Sequence, residues 1–226
     1  MHLAGGTVAE RVAALRERVD EVAVASGRER GSVAILAVTK TQPRAAVLAV
    51  LDAGLTDVGE NYVQEARGKY DGLPPCTKHF VGHVQTNKAK AIATLFDVVQ
   101  SVDRLDAGLA LAKAARDAGR RLRVLVQVNV SPAERFGAAP ADAPALAARL
   151  RAEGLAVDGV MAIGPLQGDV DAAFATARAA FDRVGGTTLS LGMSGDWERA
   201  VRSGSTMVRL GTAIFGPRPV KERSLA

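Results

Sequence analysis

The sequence predicts an α/β fold, a single (β/α)8 TIM barrel preceded by one helix, on three observations. Eight apolar runs of strand length alternate along the chain with longer, Ala-rich segments of helical periodicity. The longest of these runs are apolar throughout, as parallel strands covered on both faces are. The first run continues into TKTQP without a GxGxxG motif, so an open doubly wound sheet is the less favoured alternative.

Length and composition agree with one barrel domain over residues 1–226. A content of 48% hydrophobic and 23% charged residues is typical of globular proteins and excludes disordered or fibrous classes. No apolar run is long enough to cross a membrane, and the charged N-terminus does not resemble an export signal, so we expect a cytoplasmic protein. The single cysteine, Cys76, excludes an intramolecular disulfide framework, and the dispersed histidines His2, His79 and His83 predict no metal site.

A leading helix is predicted from the first motif of the chain. Thr7 and Glu10 have the spacing of a capping box, which opens a helix. Apolar residues then recur at intervals of three or four positions, which predicts one buried face. That face consists of Val8, Val12, Leu15, Val19 and Val22. Gly27 marks the expected end of the helix.

Strands and helices are predicted to alternate after this helix. The predicted strands span residues 33–39, 56–59, 79–82, 97–102, 122–130, 155–163, 187–191 and 207–210. The predicted helices span residues 44–53, 62–70, 88–96, 105–118, 143–153, 170–184 and 197–202, and a short one starts near Thr212. Glycines stand where helices should stop, at positions 54, 119, 154 and 185. The Pro- and Ala-rich segment 131–144 predicts a loop.

Polar and reactive side chains stand where the predicted strands end. In a barrel of this kind the chemistry is located at the C-terminal ends of the strands. The candidates there are Lys40, Glu60, Asn61, His83, Ser101, Gln127, Asn129, Met161, Met193, Ser194, Arg209, Gly211 and Thr212. Their convergence on one rim predicts a functional site.

Lys40 is the most suggestive of these residues because it ends the first predicted strand. A lysine at the end of a buried strand is partly desolvated, which favours a neutral and nucleophilic amine. Such an amine can form a Schiff base with an aldehyde. The alternative interpretation is an exposed lysine that only caps the strand.

The segments LGMSGDW and GSTMVRLGTAIFG flank the last two predicted strands. In barrels, the loops after these strands often bind a phosphate together with a short helix N-terminus. Ser194 and Thr212 supply hydroxyl groups, and Gly211 permits close approach to the backbone. The alternative is an ordinary pair of turns.

Arg209 lies within the last predicted strand, where a charged side chain is costly unless it is paired. It is a candidate ion-pair partner of Glu60 or Asp196. It is also a candidate to face a ring nitrogen of a cofactor. An arginine stays protonated, so a pyridine nitrogen beside it stays unprotonated. That arrangement weakens the ring as an electron sink and disfavours carbanion chemistry.

The chain resembles the YggS/PROSC-type family of pyridoxal phosphate homeostasis proteins over nearly its whole length. The resemblance is carried by AVTKTQP, VGENYVQEA, HFVGHVQTNK, VLVQVNVS, GVMAIGP, LSLGMSGDWERAV and GSTMVRLGTAIFG, in this order. It implies the barrel that also forms the N-terminal domain of alanine racemases. It also implies pyridoxal 5′-phosphate as the cofactor and pyridoxal-phosphate-dependent apoenzymes as recipients. We expect a monomer, because the second domain that provides the usual racemase dimer contacts is missing.

The resemblance also implies roles for individual residues. Lys40 matches the lysine that holds the cofactor as an internal aldimine, and Asn61 matches an asparagine of the cofactor pocket. Arg209 matches the arginine that faces the pyridine nitrogen. The phosphate-binding positions are matched by Ser194, Gly211 and Thr212. One departure follows the fifth strand, where Arg135-Phe136-Gly137 replaces a frequent K-x-G, which leaves the role of that lysine open here.

Two other functions compete with a cofactor carrier. An amino-acid racemase needs a second base opposite the lysine, which a tyrosine from a separate β-domain provides in alanine racemases. This chain ends soon after Arg209, and its tyrosines, Tyr62 and Tyr70, both fall in one predicted helix. A nucleic-acid-binding module is suggested by the net charge of +5, but aromatic residues make up only 4% of the chain. We therefore expect a protein without evident turnover that binds neither nucleic acid nor membrane.

Overall fold

Eight parallel strands form a closed barrel in chain order in a computed structural model that describes residues 6–133 and 135–217. The strands are β1 (Ala34–Val38), β2 (Asp57–Glu60), β3 (Thr77–Phe80), β4 (Val98–Val102), β5 (Arg123–Val128), β6 (Ala156–Ala162), β7 (Thr188–Ser190) and β8 (Met207–Leu210). The predicted fold class is therefore confirmed. Residues 1–5, 134 and 218–226 lie outside the described part, so the predicted extent of the domain, 1–226, includes residues without a structural account, His2 among them.

Helices connect the strands and cover the outside of the barrel. They are α1 (Val8–Ala25), α2 (Arg44–Asp52), α3 (Val63–Lys69), α4 (Ala89–Leu95), α5 (Leu105–Asp117), α6 (Ala143–Ala152), α7 (Val170–Val184), α8 (Trp197–Arg202) and α9 (Thr212–Phe215). A single 3-10 turn, Thr86–Lys88, precedes α4. None of the helices in the described part of the chain is long and apolar enough to cross a membrane.

Helix α1 begins with the predicted capping box. The Oγ1 atom of Thr7 accepts a hydrogen bond from the backbone of Glu10, and the Glu10 carboxylate accepts one from the backbone of Thr7 at 2.6 Å. Its buried face includes Val12, Leu15 and Val19, as the apolar periodicity predicts. The Nε atom of Arg11 donates to the carbonyl of Ile214 at 2.5 Å, which joins α1 to the last helix of the barrel.

The barrel closes where β1 pairs with β8. In this pair Leu36 lies beside Arg209, and Ala37 lies beside Leu210. Strand β2 pairs with β1 on the other side, with Val38 beside Gly59. The C-terminal ends of the first and last strands therefore meet at one rim.

The third strand differs from its prediction, because it starts at Thr77 and ends at Phe80 rather than spanning 79–82. Gly82 lies after the strand, where the backbone packs directly against Asn61. His79 consequently stands in the middle of the strand and is buried, as part of a packed interior. The fifth strand also ends early, at Val128, because Asn129 turns the chain.

The buried interior contains many polar side chains as well as the apolar core. Those that stand on or directly after a strand are Thr39, Glu60, His79, Gln100, Ser101, Gln127, Ser190 and Arg209. Buried polar groups are stable only when hydrogen bonds satisfy them. The inside of the barrel is therefore organised by hydrogen bonds as well as by packing.

Candidate functional site

A cavity of about 340 Å³ opens at the C-terminal rim of the barrel. All six residues predicted to bind a cofactor line it, namely Lys40, Asn61, Ser194, Arg209, Gly211 and Thr212. Its other walls come from Val38, Gln42, Val81, Met161, Ile163, Met193, Gly195, Phe215 and Gly216. The structure thus brings together residues from both ends of the sequence.

Lys40 is half-buried and lies two residues after the end of β1. The next residue, Thr41, has a φ of 66°, which is unusual and unfavourable for a β-branched residue. Two hydrogen bonds hold it there. Its backbone N–H donates to Glu65 Oε2 at 2.8 Å, and its hydroxyl donates to the Lys40 carbonyl at 2.6 Å. The loop that carries Lys40 is therefore fixed by the neighbouring helix α3.

A buried ion pair between Lys69 and Glu60 supports the loop that carries Lys40. The Lys69 ammonium donates to Glu60 Oε2 and to the Thr39 carbonyl, both at 2.8 Å, and to Glu65 Oε2 at 2.5 Å. Burial raises the pKa of Glu60, and the hydrogen bond from Lys69 offsets part of this effect. Lys69 was not among the predicted site residues, because nothing in its spacing distinguishes it from a solvated helix lysine.

Asn61 is positioned by a close contact between two loops. A Cβ atom at Gly82 would lie 2.1 Å from the Asn61 carbonyl oxygen, so only glycine fits. The Gly82 carbonyl in turn accepts a short hydrogen bond from the Ser101 hydroxyl. The backbone N–H of Asn61 donates to Glu60 Oε1 at 2.9 Å. The glycine of the HFVG motif and the asparagine of the GENY motif thus form one unit.

Ser194 connects the loop after β7 with the helix after β8. Its Oγ atom accepts a hydrogen bond from the backbone N–H of Ala213 at 3.2 Å. The loop is closed by Asp196, whose carboxylate accepts from the backbone of Met193 at 2.6 Å. Gly211 and Thr212 start α9 beside it. The three residues predicted to bind phosphate therefore lie together.

Arg209 is almost fully buried, with 5% of its surface exposed. Its guanidinium donates to the carbonyl and the hydroxyl of Ser190, at 2.7 and 2.8 Å, and to the carbonyl of Ala162 at 2.8 Å. The ion-pair partner of Glu60 is Lys69, which corrects the suggestion that Arg209 pairs with Glu60. Burial lowers the pKa of Arg209 to about 10, so it still carries its charge at neutral pH.

Several candidates from the rim lie outside this cavity. A neighbouring cavity of about 510 Å³ is lined by Gln127, Asn129, Arg135, Phe136, Val128 and Ile163. The His83 ring stacks on Phe136, with 3.8 Å between the ring centroids. Arg135, which replaces the frequent lysine, therefore belongs to this second cavity. Ile163 borders both cavities.

Two apolar walls of the first cavity, Met161 and Met193, were among the rim candidates, but several other walls were not predicted. Gln42, Val81, Ile163 and Phe215 come from loops or strand ends that share no spacing pattern. The described residues contain no group of three or more His, Cys, Asp or Glu side chains that could hold a metal ion.

The side chains of the cavity fit a small phosphorylated aldehyde. The Oδ1 atom of Asn61 is buried and has no hydrogen-bond partner among the residues that the structure describes, although a buried acceptor normally has one. It lies in the same cavity as an amine, a guanidinium and two hydroxyl groups. A ligand with a hydrogen-bond donor, an electrophilic carbon and an anionic group complements this set.

Comparison with known proteins supports this interpretation. The model of the alanine racemase N-terminal domain family matches residues 8–219. A pyridoxal phosphate homeostasis protein of Pseudomonas aeruginosa is 44% identical over 225 residues, which cover 94% of this chain and 96% of the relative. The chain belongs to the pyridoxal phosphate homeostasis protein family. The sequence-based assignment to this family is thereby confirmed.

Solved structures extend the comparison to three dimensions. PipY of Synechococcus elongatus, with pyridoxal phosphate bound, is 34% identical, with a TM-score of 0.81 over 93% of this chain and 100% of that protein. An alanine racemase of Clostridium difficile has a TM-score of 0.69 at 12% identity, over 91% of this chain and 57% of the racemase. The second similarity shows the shared barrel fold alone. Pyridoxal phosphate homeostasis proteins and racemases therefore have the same scaffold in common.

Proposed function

We propose that this chain binds pyridoxal 5′-phosphate in the Lys40 cavity and buffers or delivers it, without catalytic turnover. The observation that carries the proposal is the convergence of all six predicted residues on one cavity. The name of the P. aeruginosa relative and the cofactor bound to PipY support it.

Each residue has a distinct part in this proposal. The Lys40 amine would hold the cofactor by condensing with its aldehyde, with release of water. Ser194, Gly211 and Thr212 would bind the phosphate, and Arg209 would lie beside the ring nitrogen. The unpaired Oδ1 atom of Asn61 accepts a hydrogen bond from the cofactor. When bound to enzymes, pyridoxal phosphate acts as an electron sink that stabilises carbanions.

The lack of turnover is inferred from the tyrosines and from Arg209. Racemisation needs a second proton-transferring group opposite the lysine. Tyr62 is 54% exposed, and Tyr70 is buried with its hydroxyl 3.2 Å from Thr39 Oγ1. Burial raises the pKa of Tyr70 well above its ordinary value, and neither tyrosine lines the cavity. A cationic Arg209 beside the ring nitrogen keeps that nitrogen unprotonated, which weakens the electron sink.

The absorption spectrum of the purified protein tests cofactor binding. We expect a visible band after addition of pyridoxal phosphate, and we expect borohydride to bleach it. The variant Lys40→Ala should lack the band. The control is Lys113→Ala on α5, whose side chain is 72% exposed and pairs with Asp117. A wild-type protein that stays colourless, or a Lys40→Ala variant that keeps the band, would contradict the proposal.

Solvent exchange tests the absence of turnover. The loaded protein is incubated in deuterium oxide with a panel of L- and D-amino acids, and deuterium at the α-carbon is measured by mass spectrometry. We expect no exchange above the rate with free pyridoxal phosphate. Rapid exchange of any one amino acid would show a racemase-like enzyme instead.

Delivery to apoenzymes and the monomeric, cytoplasmic state belong to the same proposal. Protein loaded with pyridoxal phosphate should reactivate a pyridoxal-phosphate-dependent apoenzyme rapidly. The rate should exceed that with free pyridoxal phosphate alone, at the free concentration that is in equilibrium with the loaded protein. Equal rates would reduce the role to buffering. Sedimentation equilibrium should give a mass near 23.5 kDa for the monomer; a multiple of this mass would overturn it.

A further inference from the structure

A chain of hydrogen bonds crosses the inside of the barrel from β2 to Arg209. The His79 Nε2 atom lies 2.9 Å from Asp57 Oδ1, and its Nδ1 atom lies 2.9 Å from Gln100 Nε2. The other end of the Gln100 amide, Oε1, accepts from Ser190 Oγ at 2.7 Å. Ser190 Oγ then accepts from the Arg209 guanidinium at 2.8 Å. The chain therefore connects strands β2, β3, β4, β7 and β8.

The carboxylate of Asp57 determines the direction of every bond in this chain. Burial alone would raise the pKa of Asp57, but hydrogen bonds from His79 and Thr56 hold it below its ordinary value. Asp57 is therefore ionised and can only accept. The Nε2 atom of His79 must then carry a proton, and its Nδ1 atom, which faces Gln100 Nε2 at 2.9 Å, accepts.

The orientation of the Gln100 side-chain amide follows from this tautomer of His79. Because His79 Nδ1 accepts, Gln100 must direct its NH2 group towards it, and the second amide hydrogen meets Met207 Sδ at 3.2 Å. The Oε1 atom of Gln100 then faces Ser190, whose hydroxyl must donate to it. That leaves the lone pairs of the Ser190 oxygen for Arg209. If the Gln100 amide were reversed, its NH2 group would lie beside the Ser190 hydroxyl, which is itself a donor. The hydroxyl proton of Ser190 would then lose Gln100 Oε1 as its acceptor.

We propose that His79 and Gln100 are positioning residues that fix the guanidinium of Arg209 in the cavity through Ser190, with Asp57 as the anchor at the opposite end of the barrel. The proposal rests on the proposed function, in which Arg209 faces the cofactor ring. Arg209 itself donates only to neutral groups among its described hydrogen bonds. Its orientation therefore depends on acceptors that must be held in place by other residues.

The burial of the hydrogen-bonded side chains supports their role in positioning Arg209. Gln100 and Ser190 have no exposed surface, and His79 is 2% exposed. None of these three residues lines the cavity, so a ligand does not touch them. Asp57 borders a separate cavity below the first strands, beside α1. Arg123 is the other charged group that acts on Asp57.

Nuclear magnetic resonance of the cofactor-free protein provides the first test. With 15N-labelled histidine, we expect the ring nitrogens of His79 to show the proton on Nε2. With 15N-labelled arginine, the Nη protons of Arg209 should be resolved and slow to exchange. A His79 ring protonated on Nδ1, or averaged between both tautomers, would overturn the direction of the chain without any substitution.

Two variants break the chain at different points, and a third serves as a control. Gln100→Leu and Ser190→Ala should each make the Arg209 Nη protons exchange rapidly. Ser205→Ala is the matched control, because Ser205 is equally buried and all its described hydrogen bonds go to backbone groups, those of Leu189, Leu191 and Met207. It should lose stability but keep the Arg209 signals. Unchanged Arg209 signals in both Gln100→Leu and Ser190→Ala would overturn the proposal.

The loaded protein gives a second readout. We expect Gln100→Leu to weaken binding of pyridoxal phosphate about five-fold, as loss of one oriented hydrogen bond predicts, and to shift the pH profile of its absorption. If Gln100→Leu does not fold, Asp57→Asn replaces it, since Asp57 is partly exposed. Failure of the wild-type protein to bind pyridoxal phosphate would refute the proposed function alone, because the spectra of the cofactor-free protein test the positioning independently.

Discussion

Two charged side chains, Glu60 and Arg209, lie deep inside the barrel and are stabilised in different ways. Glu60 has an ionic partner, the Lys69 ammonium at 2.8 Å. Arg209 instead donates to two carbonyls and one hydroxyl. A buried ion pair tolerates the loss of one partner poorly, because the remaining charge is uncompensated. The two residues are therefore expected to respond differently to substitution of their surroundings.

Lys69→Met should lower the free energy of unfolding by about 3–5 kcal/mol, because it leaves the Glu60 carboxylate buried without its counter-ion. The double variant Lys69→Met/Glu60→Gln should recover part of this loss. Chemical denaturation measures both values. Lys113→Met, on the solvent-exposed face of α5, is the control and should change the stability by less than about 0.5 kcal/mol. A loss as small as that of the control would mean that the pair does not support the fold.

Asp57→Asn should reduce stability at pH 7 by about 1–2 kcal/mol, because a hydrogen bond to a charged acceptor is lost. The hydrogen bonds from His79 and Thr56 hold the pKa of Asp57 below 3.8, its ordinary value, against the effect of burial. The unfolded chain therefore binds this proton more tightly. The stabilisation by Asp57 is complete at pH values above 3.8. It is lost as the pH falls through the lower pKa that Asp57 has in the folded protein.

The pH dependence distinguishes this charge effect from a packing effect. Unfolding free energies at several pH values between 7 and 3 should show the gap between wild type and Asp57→Asn narrowing below about pH 4. A gap that stays constant over this interval would show that Asp57 contributes through packing alone.

At the residue scale, the sequence predicted the reactive groups better than the groups that hold them. Lys40 and Arg209 were identifiable because a charged residue at the end of, or within, an apolar strand is unusual. Gln100 was not, because its partner Ser190 lies 90 residues away in the sequence. Lys69 was not, because its spacing of four residues from Glu65 is that of an ordinary exposed helix pair. Long-range hydrogen bonds leave no periodic pattern in a sequence.

At the element scale, the loops after β2 and β3 behave as one unit. Gly82 packs on the Asn61 backbone, and Ser101 holds Gly82 from β4. The third strand ends before this contact, at Phe80, whereas the apolar run HFVG predicted that it would continue. The apolar pattern continues because Val81 lines the cavity, and its backbone N–H still donates to the Glu60 carbonyl at 3.0 Å. Element types were therefore predictable, but the ends of strands next to the cavity were not.

Gly82→Ala should destabilise the fold by about 2 kcal/mol or more and weaken binding of pyridoxal phosphate, because the new methyl group would lie 2.1 Å from the Asn61 carbonyl oxygen. The matched control is Gly68→Ala in α3, where a Cβ atom meets nothing within 4 Å. It should stabilise the helix by about 0.5–1 kcal/mol. Thermal unfolding and cofactor titration measure the two effects. Equal behaviour of the two variants would refute the close contact.

At the scale of the whole molecule, the positive charge is distributed among local pairs. Arg18 bonds Glu198, Arg199 bonds Asp171, and Arg120 bonds Asp97. Further pairs link Arg30 with Glu17 and Arg178 with Asp182. Part of the basic charge of the described residues is therefore engaged in pairs with nearby carboxylates.

The chain should accordingly show no binding to nucleic acid at physiological salt. Fluorescence anisotropy of labelled duplex and single-stranded oligonucleotides at several salt concentrations measures this, with a lysine-rich peptide as the positive control. Binding that weakens steeply as salt increases would reveal contacts with several phosphates. Such a result would restore the nucleic-acid interpretation that the charge first suggested.

The closure of β1 against β8 has a consequence for translation. During translation, β1 and then Lys40 emerge from the ribosome long before β8, which contains Arg209, is synthesised. Until then the first strand has no partner on one edge, and the walls of the cavity do not exist. An unfinished polypeptide therefore lacks the cavity in which we propose that pyridoxal phosphate binds. Under that proposal, the capacity to hold the cofactor rises with finished protein and not with synthesis in progress.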